Sequence, residues 1–154
     1  MHLWRIDRLI FPDKFSGFGA YLTPGRWHLR YNRVIYTSEA ASLAVLEYLA
    51  HLPPNLIPLD ISLLEIEVPD DISIERQDAP ETLNPDWRNI KLHVELQNFG
   101  TQWLVECRTA LLAVPSAILP IETNYLLNPA HPEISKVRII GEEPFFYDPR
   151  LIKK

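Results

Sequence analysis

The sequence predicts a single α+β domain over residues 1–154, richer in strand than in helix, and three observations carry that expectation. The 154 residues are 47% hydrophobic, enough to bury a sizeable core and too apolar for a disordered chain. The apolar residues fall mostly in short runs bounded by turn formers, the pattern of strands. One segment, 38–51, is apolar almost without a break and too long for a strand, so it reads as a helix. Fourteen prolines against five glycines point to stiff, ordered connections, and the chain has no repeat or low-complexity linker.

The elements follow in order. Residues 3–7 (LWRID) read as a short strand, and residues 12–32, rich in turn formers, as loop. Residues 33–37 (RVIYT) form the next strand. Ser38 is placed to cap the helix that follows, with Glu39 adding negative charge to its first turn. That helix is expected to reach His51 and to stop before Pro53-Pro54. Residues 59–68 read as a strand and 69–90 as irregular, with prolines at 69, 80 and 85. A short helix is expected at 101–109. Strands are expected at 110–114, 117–121, 135–140 and 144–148, with a structured loop at 122–132.

Composition narrows the function classes. No apolar run is long enough to span a bilayer, and the first residues, MHLWRIDRLIFPDK, carry charges inside their apolar stretch, unlike a signal peptide. The single cysteine, Cys107, excludes an internal disulfide and a multi-cysteine metal site. It reads as a core residue rather than a nucleophile. The five histidines show no metal-ligand spacing. A cytoplasmic location is expected. The net charge of −5, with no basic block, argues against direct binding of nucleic acid.

One glutamate stands out. Glu47 interrupts the apolar helix, where Ala40, Leu43, Ala44, Ala50 and His51 share its face and the rest is also apolar, so the helix is expected to be buried nearly all round. A carboxylate there needs partners. It can form a structural ion pair with an arginine, or it can hold a ligand hydroxyl or a nearby cation. Arg26 follows Pro24-Gly25 in a turn that lets backbone approach a ligand, and its planar fork suits a pyrophosphate; a surface arginine is the plain alternative. Trp27 and Tyr21 read as packing or as flanks to an aromatic ring. Tyr36 ends its strand where ligand pockets open. Ser116, in AVPSAI, lacks a nucleophile motif and reads as a hydrogen-bonding residue. Asn128 and His131 mark an ordered turn, where Asn128 either binds ligand or serves the turn.

The segments LWRI, PGRWH, VIYTSEAASLAVLE, GTQWL, VPSAILPIETNYLLNPAHP and FFYDPRL together resemble, in order and over nearly the whole chain, the RES family. These are the toxins of Xre–RES toxin–antitoxin systems, named for an arginine, a glutamate and a serine. Arg26, Glu47 and Ser116 match those residues and Tyr36 a fourth pocket residue. The chain departs at Pro24-Gly25, where the family has two glycines, and at His28, where it has asparagine. The resemblance implies a fold similar to ADP-ribosyltransferases and NAD as substrate, with no metal or redox cofactor. It implies NAD depletion by hydrolysis or phosphorolysis, or else ADP-ribosylation of a protein. A degenerate module that only binds its antitoxin is the non-enzymatic alternative. Arg26, Tyr36, Glu47 and Ser116 would act in catalysis, and Arg26, Trp27, Tyr36, Ser116 and Asn128 would bind NAD. The implied partner is an Xre-like antitoxin, through which any DNA contact would run, and a homodimer is allowed.

Overall fold

The computed structural model describes residues 1–53 and 56–151; Pro54, the second proline of the expected helix stop, and the last three residues of the expected 1–154 domain lie outside them. Among the described residues there are seven strands and three α-helices. They are β1 His2–Arg8, α1 Phe18–Leu22, β2 Ile35–Ser38, α2 Ala41–His51, β3 Ile61–Glu67, β4 Ile74–Arg76, α3 Val94–Glu106, β5 Leu111–Pro115, β6 Thr123–Leu127 and β7 Arg138–Pro144. The strands form one sheet in the order β4-β5-β6-β2-β1-β3-β7, antiparallel except for the β4–β5 pair. Strands β1 and β3 pair from His2↔Glu67 to Arg8↔Ile61, and β2 pairs with β6 from Ile35↔Leu127 to Ser38↔Asn124. Between these two well-zipped halves, β1 and β2 meet only at Trp4↔Ser38.

Strand alternation divides the core. Leu3, Ile35, Leu64, Ile66, Leu111 and Leu127 pack on one side. Leu112, Val114 and Leu126 pack with Trp27, Trp87, Leu96 and Trp103 beneath α3, and Ile6, Ile61 and Tyr147 pack with Val45, Tyr48 and Leu49 of α2. The indole N–H of Trp103 has a partner, donating to Thr109 Oγ1 at 2.8 Å, as a buried polar atom requires. Tyr147 ties the chain end to α2, its hydroxyl donating to the Val45 carbonyl at 2.8 Å.

The α+β class and the strands β1, β2, β3 and β5 agree with the sequence, as does the end of α2 at His51; the strand expected at 135–140 starts only at Arg138, as β7, because Pro132–Lys136 form a 3₁₀ turn. The differences have local causes. Ser38 is no helix cap: it closes β2, paired across the sheet with Asn124 of β6, and α2 begins only at Ala41 after Ala40. Glu39 also lies before the helix, its carboxylate accepting the Thr123 N–H. Nor is α2 buried all round; Leu43 and Ala44 are its buried residues, and Glu47 is half-buried. The loop 12–32 contains the single-turn α1. The segment 69–90 contains β4 and a 3₁₀ turn at Pro80–Thr82.

Helix α3 starts at Val94 rather than 101 and ends at Glu106, with Cys107 just beyond it at φ 52°, half-buried rather than in the core. Residues 117–121 are a turn, not a strand, since the Ser116 hydroxyl accepts the N–H groups of Ile118 and Leu119. The expected loop 122–132 begins with β6, in the middle of the sheet. Pro144 ends β7, so 144–148 adds no strand.

The early start of α3 carries a packing constraint. Gly100 lies in mid-helix, where glycine is normally costly, but a Cβ there would sit 1.9 Å from the Trp27 carbonyl oxygen. The bare backbone lets the 25–28 turn lie directly on the helix. Gly100→Ala should therefore destabilise the protein by roughly 1–3 kcal/mol, the cost of overpacking, against the propensity gain expected at an open helical site. Urea denaturation measures this, and an increase in stability would show that helix and turn are not in contact.

Candidate active site

Four elements converge where β2 ends and β6 begins. Glu47 lies one turn after Leu43 on the α2 stripe that faces the sheet. Its Oε1 accepts from Ser116 Oγ at 2.7 Å and from Asn124 Nδ2 at 2.6 Å. Among the described residues no donor reaches Oε2. Ser116 is fully buried, and its hydroxyl is saturated: it donates to Glu47 and accepts the Ile118 and Leu119 N–H groups at 3.1 Å each. It orients the carboxylate and has no proton left for a ligand. Asn124 is held in turn by Ser38, whose hydroxyl donates to Oδ1 at 2.7 Å.

Arg26 comes from the turn Gly25–His28. That turn closes on itself, Gly25 N–H donating to the His28 carbonyl at 3.2 Å, and Gln97 of α3 donates to the Gly25 carbonyl at 3.0 Å. Trp27 anchors the turn in the core, 2% exposed and edge-on to Phe99, so its ring is packing. The guanidinium Nη1 of Arg26 donates to the Trp87 carbonyl and, at 3.0 Å, to that of Asn89. Among the described residues Nε and Nη2 have no protein partner. Burial lowers the Arg26 pKa, opposed by the Glu47 carboxylate and by Tyr36. The loop supplying the carbonyls is pinned across the site by Arg88, whose Nε donates to the Ala117 carbonyl at 3.1 Å.

Tyr36 connects the two halves. His28 Nε2 faces the carbonyls of Ala20 and Thr23 at 3.0 and 3.1 Å, so the ring proton sits on Nε2 and Nδ1 is an acceptor. The Tyr36 hydroxyl donates to His28 Nδ1 at 2.8 Å and accepts the Trp27 N–H at 3.3 Å. Burial pushes the phenol well above its ordinary range, keeping that proton in place. Gly25 is required here, since a Cβ would meet His28 Cε1 at 2.6 Å and the Tyr36 hydroxyl at 2.8 Å.

The structure thus brings Arg26, Tyr36, Glu47 and Ser116 together, and leaves Asn128 out. Asn128 lies about 13 Å further along the strand direction, 2% exposed. Its amide donates to the Leu104 carbonyl at 3.0 Å and its Oδ1 accepts the Ala130 N–H, which is turn chemistry. Tyr21 lines a separate groove of about 530 Å³ with Tyr31 and Arg33. Asn124, Ser38 and His28 belong to the site although the sequence assigns none of them to it, reading Ser38 as a helix cap and His28 only as a departure from the family pattern.

The chain is similar to known proteins. The RES domain family matches residues 2–148. A protein named Prs ADP-ribosylating toxin, from Sphingobium sp. (strain YBL2), is 40% identical over 155 residues, covering 98% of this chain and 96% of that protein. A protein named Toxin Res from Pseudomonas putida KT2440 is 40% identical over 154 residues, covering 98% of this chain and 99% of that one. Another Toxin Res, from Photorhabdus laumondii subsp. laumondii, is 34% identical over 155 residues, covering 99% and 98%. The toxin of the M. tuberculosis MbcT–MbcA toxin–antitoxin crystal structure superposes with a TM-score of 0.72 over 98% of this chain and 86% of that chain; at 18% identity the likeness is one of fold.

His28 makes the site sensitive to acid. Burial holds its pKa below the ordinary 6.5, against the raising effect of the Ala20 and Thr23 carbonyls. The unfolded chain then binds more protons at this position than the folded one. The stability involved is complete above about pH 6.5 and is lost as pH falls through the folded value. Denaturation of the parent and of His28→Gln between about pH 5 and pH 8 should show the parent losing stability relative to the variant on acidification. Parallel curves would remove His28 from the account.

Proposed function

The chain belongs to the RES domain family, and from that premise we propose that it is the toxin of a toxin–antitoxin pair and breaks the nicotinamide–ribose bond of NAD. The observation that supports this best is a carboxylate with one oxygen held by Ser116 and Asn124 and the other without a donor among the described residues, beside Arg26, which bonds the loop that Arg88 pins to Ala117 next to Ser116. As the bond breaks, its electron pair leaves with the nicotinamide nitrogen and neutralises the ring charge. Positive charge develops at the ribose C1, and a fixed carboxylate stabilises it. Glu47 Oε2 takes that role and accepts a ribose hydroxyl. The Nε and Nη2 of Arg26, without a partner among the described residues, bind the pyrophosphate, and the Tyr36 ring walls the nicotinamide side. Water or phosphate attacks C1 and gives free ADP-ribose or its 1″-phosphate.

A second reading has its own support. The Sphingobium relative, 40% identical over nearly the full chain, is named an ADP-ribosylating toxin, so the acceptor at C1 can be a protein group instead. Bond breaking is the same in both readings and makes the same demand on Glu47. The fold neighbour is a toxin seated with its antitoxin, which supports an antitoxin partner here. An Xre-like antitoxin would carry the DNA contact, in keeping with a chain of net charge −5. No helix among the described residues is long and apolar enough to cross a membrane; action on NAD in the cytoplasm is part of the proposal.

Glu47→Gln keeps the shape and removes the charge. Nicotinamide release from NAD should fall by ~10²–10³ in turnover with NAD affinity and melting temperature little changed. Arg26→Ala should also weaken NAD binding, because the pyrophosphate is charged before the reaction begins. Mass spectrometry of the products, with and without phosphate and with cell lysate protein, separates ADP-ribose, its phosphate and a modified protein. A Glu47→Gln variant that melts much earlier yet releases nicotinamide normally per folded molecule would make Glu47 a structural residue.

A further inference from the structure

Asn124 occupies a position that a sheet does not ordinarily give to asparagine. It lies inside β6, between Thr123 and Tyr125, opposite Ser38 of β2 and Val114 of β5. The strand tolerates it because both ends of the amide are used. Nδ2 donates to Glu47 Oε1 at 2.6 Å, and Oδ1 accepts the Ser38 hydroxyl at 2.7 Å. An amide can be turned either way, but a hydroxyl donor on one side and a carboxylate on the other permit a single orientation. The ladder beyond the pair is closed as well: Glu39 N–H donates to the Thr123 carbonyl at 3.0 Å, and Thr123 N–H donates to Glu39 Oε1 at 2.7 Å. Strands β2 and β6 therefore cannot slide at this point, and Asn124 is fixed in register.

We infer that Asn124, oriented by Ser38, is a positioning residue that sets the rotation of the Glu47 carboxylate and presents Oε2 to the substrate; the inference rests on the NAD reading above. Ser116 alone would leave the carboxylate able to swing about a single hydrogen bond. A second donor on the same oxygen removes that freedom and keeps both protein donors away from Oε2. Asn124 touches no substrate in this arrangement and acts through Glu47.

The test combines Asn124→Ala, Asn124→Asp and Ser38→Ala with Glu47→Gln, following nicotinamide release, melting temperature and the pH dependence of turnover. Asn124→Ala should lower kcat by about 10–100-fold, the effect of a misplaced catalytic group, with a smaller change in KM. The same change in the Glu47→Gln background should cost little more, because the two residues act as one unit. Ser38→Ala should give a partial loss, since the amide oxygen then loses the donor that holds it. Asn124→Asp sets a second carboxylate against Glu47, so the acid limb of the pH profile should move up by about one unit or more. Equal losses from Asn124→Ala in both backgrounds, or an unmoved acid limb in Asn124→Asp, would overturn the inference. If the parent protein releases no nicotinamide, the NAD reading fails on its own. The positioning is then read from the carbon-13 signal of the Glu47 carboxyl, identified by its absence in Glu47→Gln. That signal should titrate at higher pH in folded Asn124→Asp than in the parent, and an unchanged midpoint would sink the inference.

Discussion

The two hydrogen bonds that Glu47 Oε1 accepts from Ser116 and Asn124 are the constraint on which the site depends. They join three parts of the chain: helix α2, the turn after β5, and β6 in the middle of the sheet. Ser116 spends both lone-pair sites on backbone N–H groups, and Asn124 is locked by Ser38. A carboxylate in the apolar stripe of a helix would be a liability without them. With them, its cost is offset while one oxygen stays open to a ligand. Rigid support of this kind is what electrostatic catalysis requires, because the charge must already be in place when the substrate charge develops.

The other half of the site depends on close packing. Arg26 sits on a turn that lies against α3 only because Gly100 has no side chain, and the turn is closed by Gln97, His28 and Tyr36. Its guanidinium is aimed by the carbonyls of Trp87 and Asn89, and Arg88 fastens that loop beside Ser116. The two halves meet through Tyr36. Its hydroxyl is spent on the turn, while Ser38, two residues later, holds Asn124. A single short strand thus sets the distance between the cationic and the anionic group.

Much of this was legible in the sequence, for identifiable reasons. Glu47 is conspicuous because an acid in an apolar helix demands an explanation. Arg26 after Pro24-Gly25 and Tyr36 at a strand end are ordinary alone and became a set only through the family resemblance. The supporting residues were hidden by the same propensities that make sequences readable. Ser38 has the chemistry of a helix cap and Asn124 that of a turn, yet both are used sideways, across the sheet, where register rather than sequence spacing decides contact. Asn124 and Asn128 look alike in the chain; only the fold shows that the first reaches Glu47 and the second the end of α3. Trp27 invited a reading through its ring, but its backbone N–H and carbonyl are what the site and α3 use.

The most direct test of the central claim is a crystal structure of Glu47→Gln with NAD, in which slow turnover leaves the substrate intact. The nicotinamide-bearing ribose should lie against residue 47, with a hydroxyl within hydrogen-bonding distance of its side chain and the pyrophosphate on Arg26. NAD bound instead in the Tyr21–Tyr31–Arg33 groove, with the Glu47 site untouched, would contradict it.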